Sequence, residues 1–88
     1  MEHKTINVMG MTLEQWRNKS CTAEFGEGDN WATLYSIRSE AEGKGHATEL
    51  LLEAKKYYEA KGKKVGGDVA LNDRMKKLYQ KVGYREYD

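Results

Sequence analysis

The alternation of apolar and polar side chains predicts a series of short strands in the first part of the chain. Thr5 to Met9 alternates in this way and stops at Gly10, which predicts a strand. Cys21 to Phe25 is interpreted as a second strand, and residues 26–30 as a turn, because Gly, Asp and Asn tolerate the backbone angles of turns. Trp31 to Ile37 is rich in β-branched and aromatic residues and predicts a central strand.

Residues 12–15 carry a different local signal, the capping box of a helix start. Thr12 and Gln15 are spaced so that their side chains can satisfy backbone donors of a first helical turn. The pattern therefore predicts a short helix over about residues 13–18, with Leu13 and Trp16 on its inner face.

The second half of the chain changes from alternation to helical spacing. Apolar residues recur there at intervals of four, three and four, which predicts a helix that ends at Gly62 in a left-handed cap. Lys64 to Leu71 predicts a further strand, weakened at Gly66-Gly67. Asn72 suits the N-cap of a second helix, which Gly83 ends. The apolar residues of the two helices are Ala47, Leu51, Ala54 and Tyr58, then Met75, Leu78, Tyr79 and Val82.

The order of elements after residue 30 predicts a particular topology. A strand, a crossover helix and a following strand favour parallel pairing in a right-handed unit, so we expect an α/β sheet with helices packed on it. No repeat or linker divides the 88 residues, and we expect one domain over residues 1–88.

The balance of charge and the cysteine content argue against several classes of protein. The sequence has 15 Lys and Arg against 14 Asp and Glu, and this net charge of +1 does not favour nucleic acid as a partner. His3 and His46 are far apart and Cys21 is the single cysteine, so no metal site is expected. No apolar run suits a membrane span or a signal peptide, which favours a cytoplasmic protein with no membrane partner.

The candidate chemistry lies in the loop Glu42-Gly43-Lys44-Gly45-His46-Ala47, which leads straight into the first predicted helix. Backbone N–H groups of such a loop, together with the positive end of a helix dipole, form a site for phosphate oxygens. Taken alone, a glycine-rich loop is more often an ordinary turn. Downstream, however, Asn72 and Tyr79 are seven positions apart, and the second helix closes with Gly83-Tyr84.

Together these segments resemble the GNAT family of acetyltransferases. The loop is similar to the family's signature of Gln or Arg, two residues, Gly, one residue, and Gly or Ala, with Glu42 in the first position. Residues 78–84 are similar to the family's leucine, tyrosine, two polar residues, leucine, glycine and phenylalanine. The resemblance covers residues 31–84 as an acetyl-CoA-binding core, after a short N-terminal part over residues 1–30.

The resemblance implies a truncated acyl-CoA N-acyltransferase fold and an enzyme. The fold is a mixed central sheet with helices on both faces, its closing strands absent or reduced to residues 85–87. The implied reaction transfers an acetyl group from acetyl-CoA to a primary amine, of a protein lysine or a small molecule, by direct attack. Tyr79 is implied to protonate the leaving thiolate. The residues implied to bind acetyl-CoA are Ile37, Arg38, Gly43, Lys44, Gly45, His46, Ala47 and Asn72.

Other functional roles stay open at the level of sequence. The basic residues 61–64 are most simply a solvated helix exit, although they, or Arg74 and Lys76, could contact the coenzyme 3′-phosphate. The positions where many members carry a general base are Trp31 to Thr33, none of which removes a proton. The substitutes are Glu27, Asp29 and Asp68.

The missing base favours an alternative function, a coenzyme-binding or protein-interaction module in which catalysis has lapsed. A short sheet also leaves an exposed edge, which predicts a homodimer or a partner protein that completes the sheet.

Overall fold

The computed structural model describes residues 1–40, 45–67 and 73–86, which form a mixed sheet of six strands with two helices. The strands lie in sequence order across the sheet; the first four are antiparallel neighbours, and the last two pairings are parallel. The elements are β1 (Glu2–Val8), β2 (Met11–Arg17), β3 (Cys21–Glu27), β4 (Trp31–Ser39), α1 (His46–Ala60), β5 (Lys64–Gly67), α2 (Asp73–Val82) and β6 (Arg85–Glu86). In the part of the chain that the structure describes, neither helix is long and apolar enough to cross a membrane.

The helix predicted over residues 13–18 is wrong, because Met11–Arg17 forms β2. Met9 and Gly10 both have positive φ, at 50° and 83°, which is the backbone of a tight hairpin turn whose twist matches paired strands. Strand pairing on both sides of β2 satisfies the backbone groups that a capping box would have served. Leu13 and Trp16 are both buried, but they lie on opposite faces of the sheet rather than on one helix face.

The helix predicted after the glycine-rich loop is confirmed as α1, which packs across β2 to β5. Its apolar stripe is buried, and Tyr58 accepts a hydrogen bond from Trp16 Nε1 at 3.1 Å. Gly62 has a φ of 81° directly after the helix, as the predicted left-handed cap requires. The buried residues of α1 are Leu50, Leu51, Ala54 and Tyr58.

The α/β class and the mixed sheet are confirmed, whereas the two helices share one face of the sheet in the described residues. Tyr79 and Val82 of α2 belong to the same buried cluster as α1, and the Tyr84 hydroxyl donates to Leu51 O at 2.7 Å. Two successive right-handed crossovers that advance in one direction across a sheet place both helices on the same side. We call the opposite side of β1 to β4 the open face.

Candidate functional site

The described pairing of the parallel strands β4 and β5 stops in the middle of β4. It ends at Thr33↔Gly66, while β4 continues to Ser39. The register between β3 and β4 shifts close to this point, so Tyr35 has no partner on β3. A bulge of this kind bends its strand and increases its twist.

The far part of β4 presents one edge that described residues of β5 do not pair. Ile37 and Arg38 pair with Ala23 and Thr22 of β3 on the other edge. A strand directs its backbone N–H and C=O groups to both edges, so this segment can offer hydrogen bonds to an extended ligand. Both residues therefore lie where the resemblance implies contacts with the pantetheine arm.

The entrance of α1 has the geometry of an anion site. Gly45 lies at the N-cap position in the left-handed conformation, with a φ of 76°, and its carbonyl accepts from Glu49 N at 3.0 Å. His46 and Ala47 form the first turn, whose N–H groups have no partners within a helix and carry the positive end of its dipole. Gly43 and Lys44 lie outside the described residues.

The turn between β2 and β3 holds this entrance in place, which the sequence analysis did not anticipate. Asn18 Nδ2 donates to His46 O at 2.7 Å, and Asn18 Oδ1 accepts from Cys21 N at 3.0 Å. The Ser20 hydroxyl and His46 Nδ1 are 2.5 Å apart. An Asn and a Ser shortly after a strand are typical of a turn that side chains stabilise. This pattern does not predict the contact with a helix far along the chain.

Replacing Asn18 by alanine should loosen the entrance of α1. The variant loses the bonds to His46 and Cys21, which should lower the free energy of unfolding by about 1–2 kcal/mol in urea denaturation. Asn7→Ala, at an exposed position on β1, is the matched control and should change it by less than about 0.5 kcal/mol. Equal stability of the two variants would contradict the role of Asn18.

The side chain of Tyr79, on α2, lies beside Gly67, the last residue of β5. It is buried at 4% exposure and packs against Tyr84 with ring centroids 5.7 Å apart. A Cβ atom on Gly67 would lie 2.6 Å from the Tyr79 hydroxyl and 2.9 Å from Leu34 O. A glycine at this position therefore leaves room for the hydroxyl beside the end of β5.

Two other buried tyrosines of the core bind neighbouring groups through their hydroxyls. Burial raises the pKa of Tyr58 and of Tyr84 above the ordinary phenol range. The Tyr58 hydroxyl binds Trp16, and the Tyr84 hydroxyl binds the main chain of α1. Of these three tyrosines, Tyr79 is the one whose hydroxyl lies beside Gly67.

Glu27 lies at the opposite end of the sheet from the α1 entrance. It accepts hydrogen bonds from Lys61, directly after α1, and from Lys63 at 2.7 Å. The 15 residues of α1 span about 22 Å, which separates Glu27 from the entrance. The hydrogen bond from Lys61, followed by that from Lys63, lowers the pKa of Glu27, so this carboxylate is a poor base. The basic residues 61–64 follow the end of α1 and do not lie at its entrance.

The remaining sequence candidates are only partly described. Asp29 is exposed in the turn between β3 and β4. Asn72 and Asp68 lie outside the described residues, as does Glu42. In the described residues the α1 entrance is bound to the turn after β2, the Tyr79 hydroxyl lies beside Gly67, and Glu27 lies near the far end of α1.

The described residues form an α/β domain, a mixed sheet of six strands with both helices packed on one face. A family model described as the Acetyltransferase (GNAT) family matches residues 8–84. Because the match covers most of the chain, the protein belongs to this family. Searches of curated proteins and of solved structures found no significant match.

Proposed function

We propose that the protein is an N-acetyltransferase that transfers an acetyl group from acetyl-CoA to a primary amine by direct attack. The observation that carries the proposal is the position of the Tyr79 hydroxyl beside Gly67, at the end of the described pairing of β4 with β5. The family match supplies the reaction class.

The proposed coenzyme site runs from the α1 entrance along β4. Main-chain N–H groups of residues 43–47 hold the diphosphate, helped by the helix dipole. The backbone of Ile37 and Arg38 binds the pantetheine arm as an added strand would, because that edge of β4 runs past the described part of β5. Asn72 contacts the same arm.

The proposed reaction needs one proton donor for the thiolate. The amine nitrogen forms a bond to the thioester carbonyl carbon, the C–S bond breaks, and the sulfur takes a proton from the Tyr79 hydroxyl. The proton lost by the amine passes to water, from which Tyr79 is reprotonated. Cys21 is buried and its pKa is raised by that burial, so it is not an activated nucleophile.

The alternative is a coenzyme-binding or interaction module without catalysis. The position of Glu27 favours it, since this carboxylate lies far from the α1 entrance and is bound by two lysines. Asp29, Asp68 and water remain as proton acceptors for the enzyme. The enzyme and the coenzyme-binding module both require acetyl-CoA to bind, and turnover distinguishes them, whereas an interaction module requires neither. The cytoplasmic location and a homodimer or partner protein that completes the sheet stay proposals.

Acetyl-CoA should raise the melting temperature of the protein. A ligand selective for the folded state stabilises it by about 2.7 kcal/mol at a concentration one hundred times its dissociation constant. Thermal unfolding with acetyl-CoA measures this, and acetyl-pantetheine, which lacks the diphosphate, is the control and should give a smaller shift. No shift with millimolar acetyl-CoA would contradict both the enzyme and the coenzyme-binding module, and would leave the interaction module.

A further inference from the structure

Two arginines lie in one row across the open face near the exit of β4. Arg17 pairs with Thr22, and Thr22 pairs with Arg38, so the three side chains project from the same side of the sheet. They line a cavity of about 380 Å³, whose lining also includes hydroxyl groups of the neighbouring strand ends and the charged residues Lys19 and Glu40. Both arginines are exposed. We call this set the arginine row.

A carboxylate occupies the next row of the same face. Gln15, Glu24 and Ser36 are cross-strand partners, and the Ser36 hydroxyl donates to Glu24 Oε1 at 2.6 Å. Gln15 Nε2 donates to the other oxygen at 3.3 Å. The bond from Ser36 is the largest cause that lowers the pKa of Glu24, so the group is an anion at neutral pH.

Among the described residues, no carboxylate forms an ion pair with the arginine row. The ion pairs among them are those of His3 with Glu14 and of Glu27 with Lys61 and Lys63. Neither Arg17 nor Arg38 takes part, although Glu2 is the cross-strand neighbour of Arg17 on β1. A guanidinium group binds a carboxylate or phosphate through two parallel hydrogen bonds, so the row suits an anionic ligand.

Both rows include residues of β4 that lie beyond its described pairing with β5. These are Ser36 and Arg38, in the segment that the proposed function assigns to the pantetheine arm. Residues two positions apart on a strand are about 6.6 Å apart, and the charge of Arg38 also lowers the pKa of Glu24, so one small molecule can reach both rows.

We propose that the acceptor is a small amine that also carries an anionic group, whose ammonium is held by Glu24 and whose carboxylate or phosphate is held by Arg17 and Arg38. This inference rests on the proposed acetyltransferase function, because the binding places the amine beside the thioester. A polyamine has no group for the arginine row and is repelled by it. An amino acid has both charges.

The test compares ω-amino acids of graded length with n-alkylamines of the same lengths, which lack the carboxylate. Thiol release from acetyl-CoA gives kcat/KM for each acceptor. The wild-type protein should prefer the ω-amino acids, and Arg17→Ala should lower that preference by roughly ten- to a hundredfold, as expected for loss of a charge-assisted hydrogen-bond pair. Arg85→Ala, on exposed β6, removes an arginine elsewhere and should leave the preference unchanged.

Three results would overturn the proposal while the acetyltransferase function stands. The first is equal use of alkylamines and ω-amino acids by the wild-type protein. The second is an unchanged preference in Arg17→Ala. The third is a rise in KM of Arg17→Ala for acetyl-CoA but not for 3′-dephospho-acetyl-CoA, which would assign the arginine row to the coenzyme phosphate.

A protein without turnover would reject the acetyltransferase function, and binding then tests the site by itself. Calorimetry with ω-amino acids should show binding to the wild-type protein that weakens roughly tenfold or more in Arg17→Ala and in Glu24→Gln. Absence of binding to the wild-type protein would overturn the site.

Discussion

Gly66→Ala is expected to destabilise the protein by at least about 2–3 kcal/mol, a large share of the stability of a small domain. A Cβ atom at this position would lie 2.0 Å from Arg85 O and 2.7 Å from Arg85 C. These are backbone atoms of β6, so no side-chain rotation relieves the overlap. Either β6 or β5 has to move, and β5 is held by its pairing with β4. Urea denaturation measures the loss.

Gly28→Ala is the matched control for this substitution. The nearest atom to its added Cβ is Trp31 O at 3.6 Å, an ordinary contact distance. We expect its free energy of unfolding to stay within about 0.5 kcal/mol of the wild-type value. If Gly66→Ala were equally stable, the observed pairing of β6 with β5 would be contradicted.

The second half of the fold could be predicted from sequence because local signals agree there. Helical spacing and glycine positions both mark the ends of α1 and α2. The structure confirms the predicted left-handed cap at Gly62, with a φ of 81°, and Gly83 after α2 also has a positive φ, of 76°. The parallel pairing of β4 and β5 followed from the crossover rule alone.

The first half could not be predicted fully because a local signal conflicted with long-range pairing. Thr12 and Gln15 satisfy the pattern of a helix start, yet the segment pairs with β1 and β3. Capping contributes about 1 kcal/mol, whereas two neighbouring strands satisfy backbone groups along the whole of β2. The sequence did not indicate the tight turn at Met9-Gly10, because methionine is not a typical residue at positive φ.

The site was predicted only as far as its motifs extend along the sequence. Spacing placed Gly45 at the helix entrance and Tyr79 on the second helix. It could not show that Asn18 holds an entrance 28 residues away, or that Glu27 binds lysines 34 and 36 residues away. Such contacts are set by the register of β2, β3 and β4 and by the position of α1, not by any local pattern.

Tyr79→Phe is expected to lower kcat by about a hundredfold or more, the usual range for loss of a general acid. The thiolate then leaves without the proton that the proposed reaction takes from the Tyr79 hydroxyl. The KM for acetyl-CoA should stay within about twofold, because the proposed contacts with the diphosphate and pantetheine come from the main chain of other residues. Initial rates of thiol release with varied acetyl-CoA measure both constants.

Tyr84→Phe separates this chemical role from a structural one. It removes the hydrogen bond that the Tyr84 hydroxyl donates to Leu51 O at 2.7 Å, so it should lower the free energy of unfolding by about 1–3 kcal/mol. At a temperature where the variant stays folded, its kcat should match the wild-type value. A similar fall in kcat for both variants would show that packing of the core, rather than the Tyr79 proton, limits turnover. Unchanged kcat in Tyr79→Phe would remove Tyr79 from the reaction.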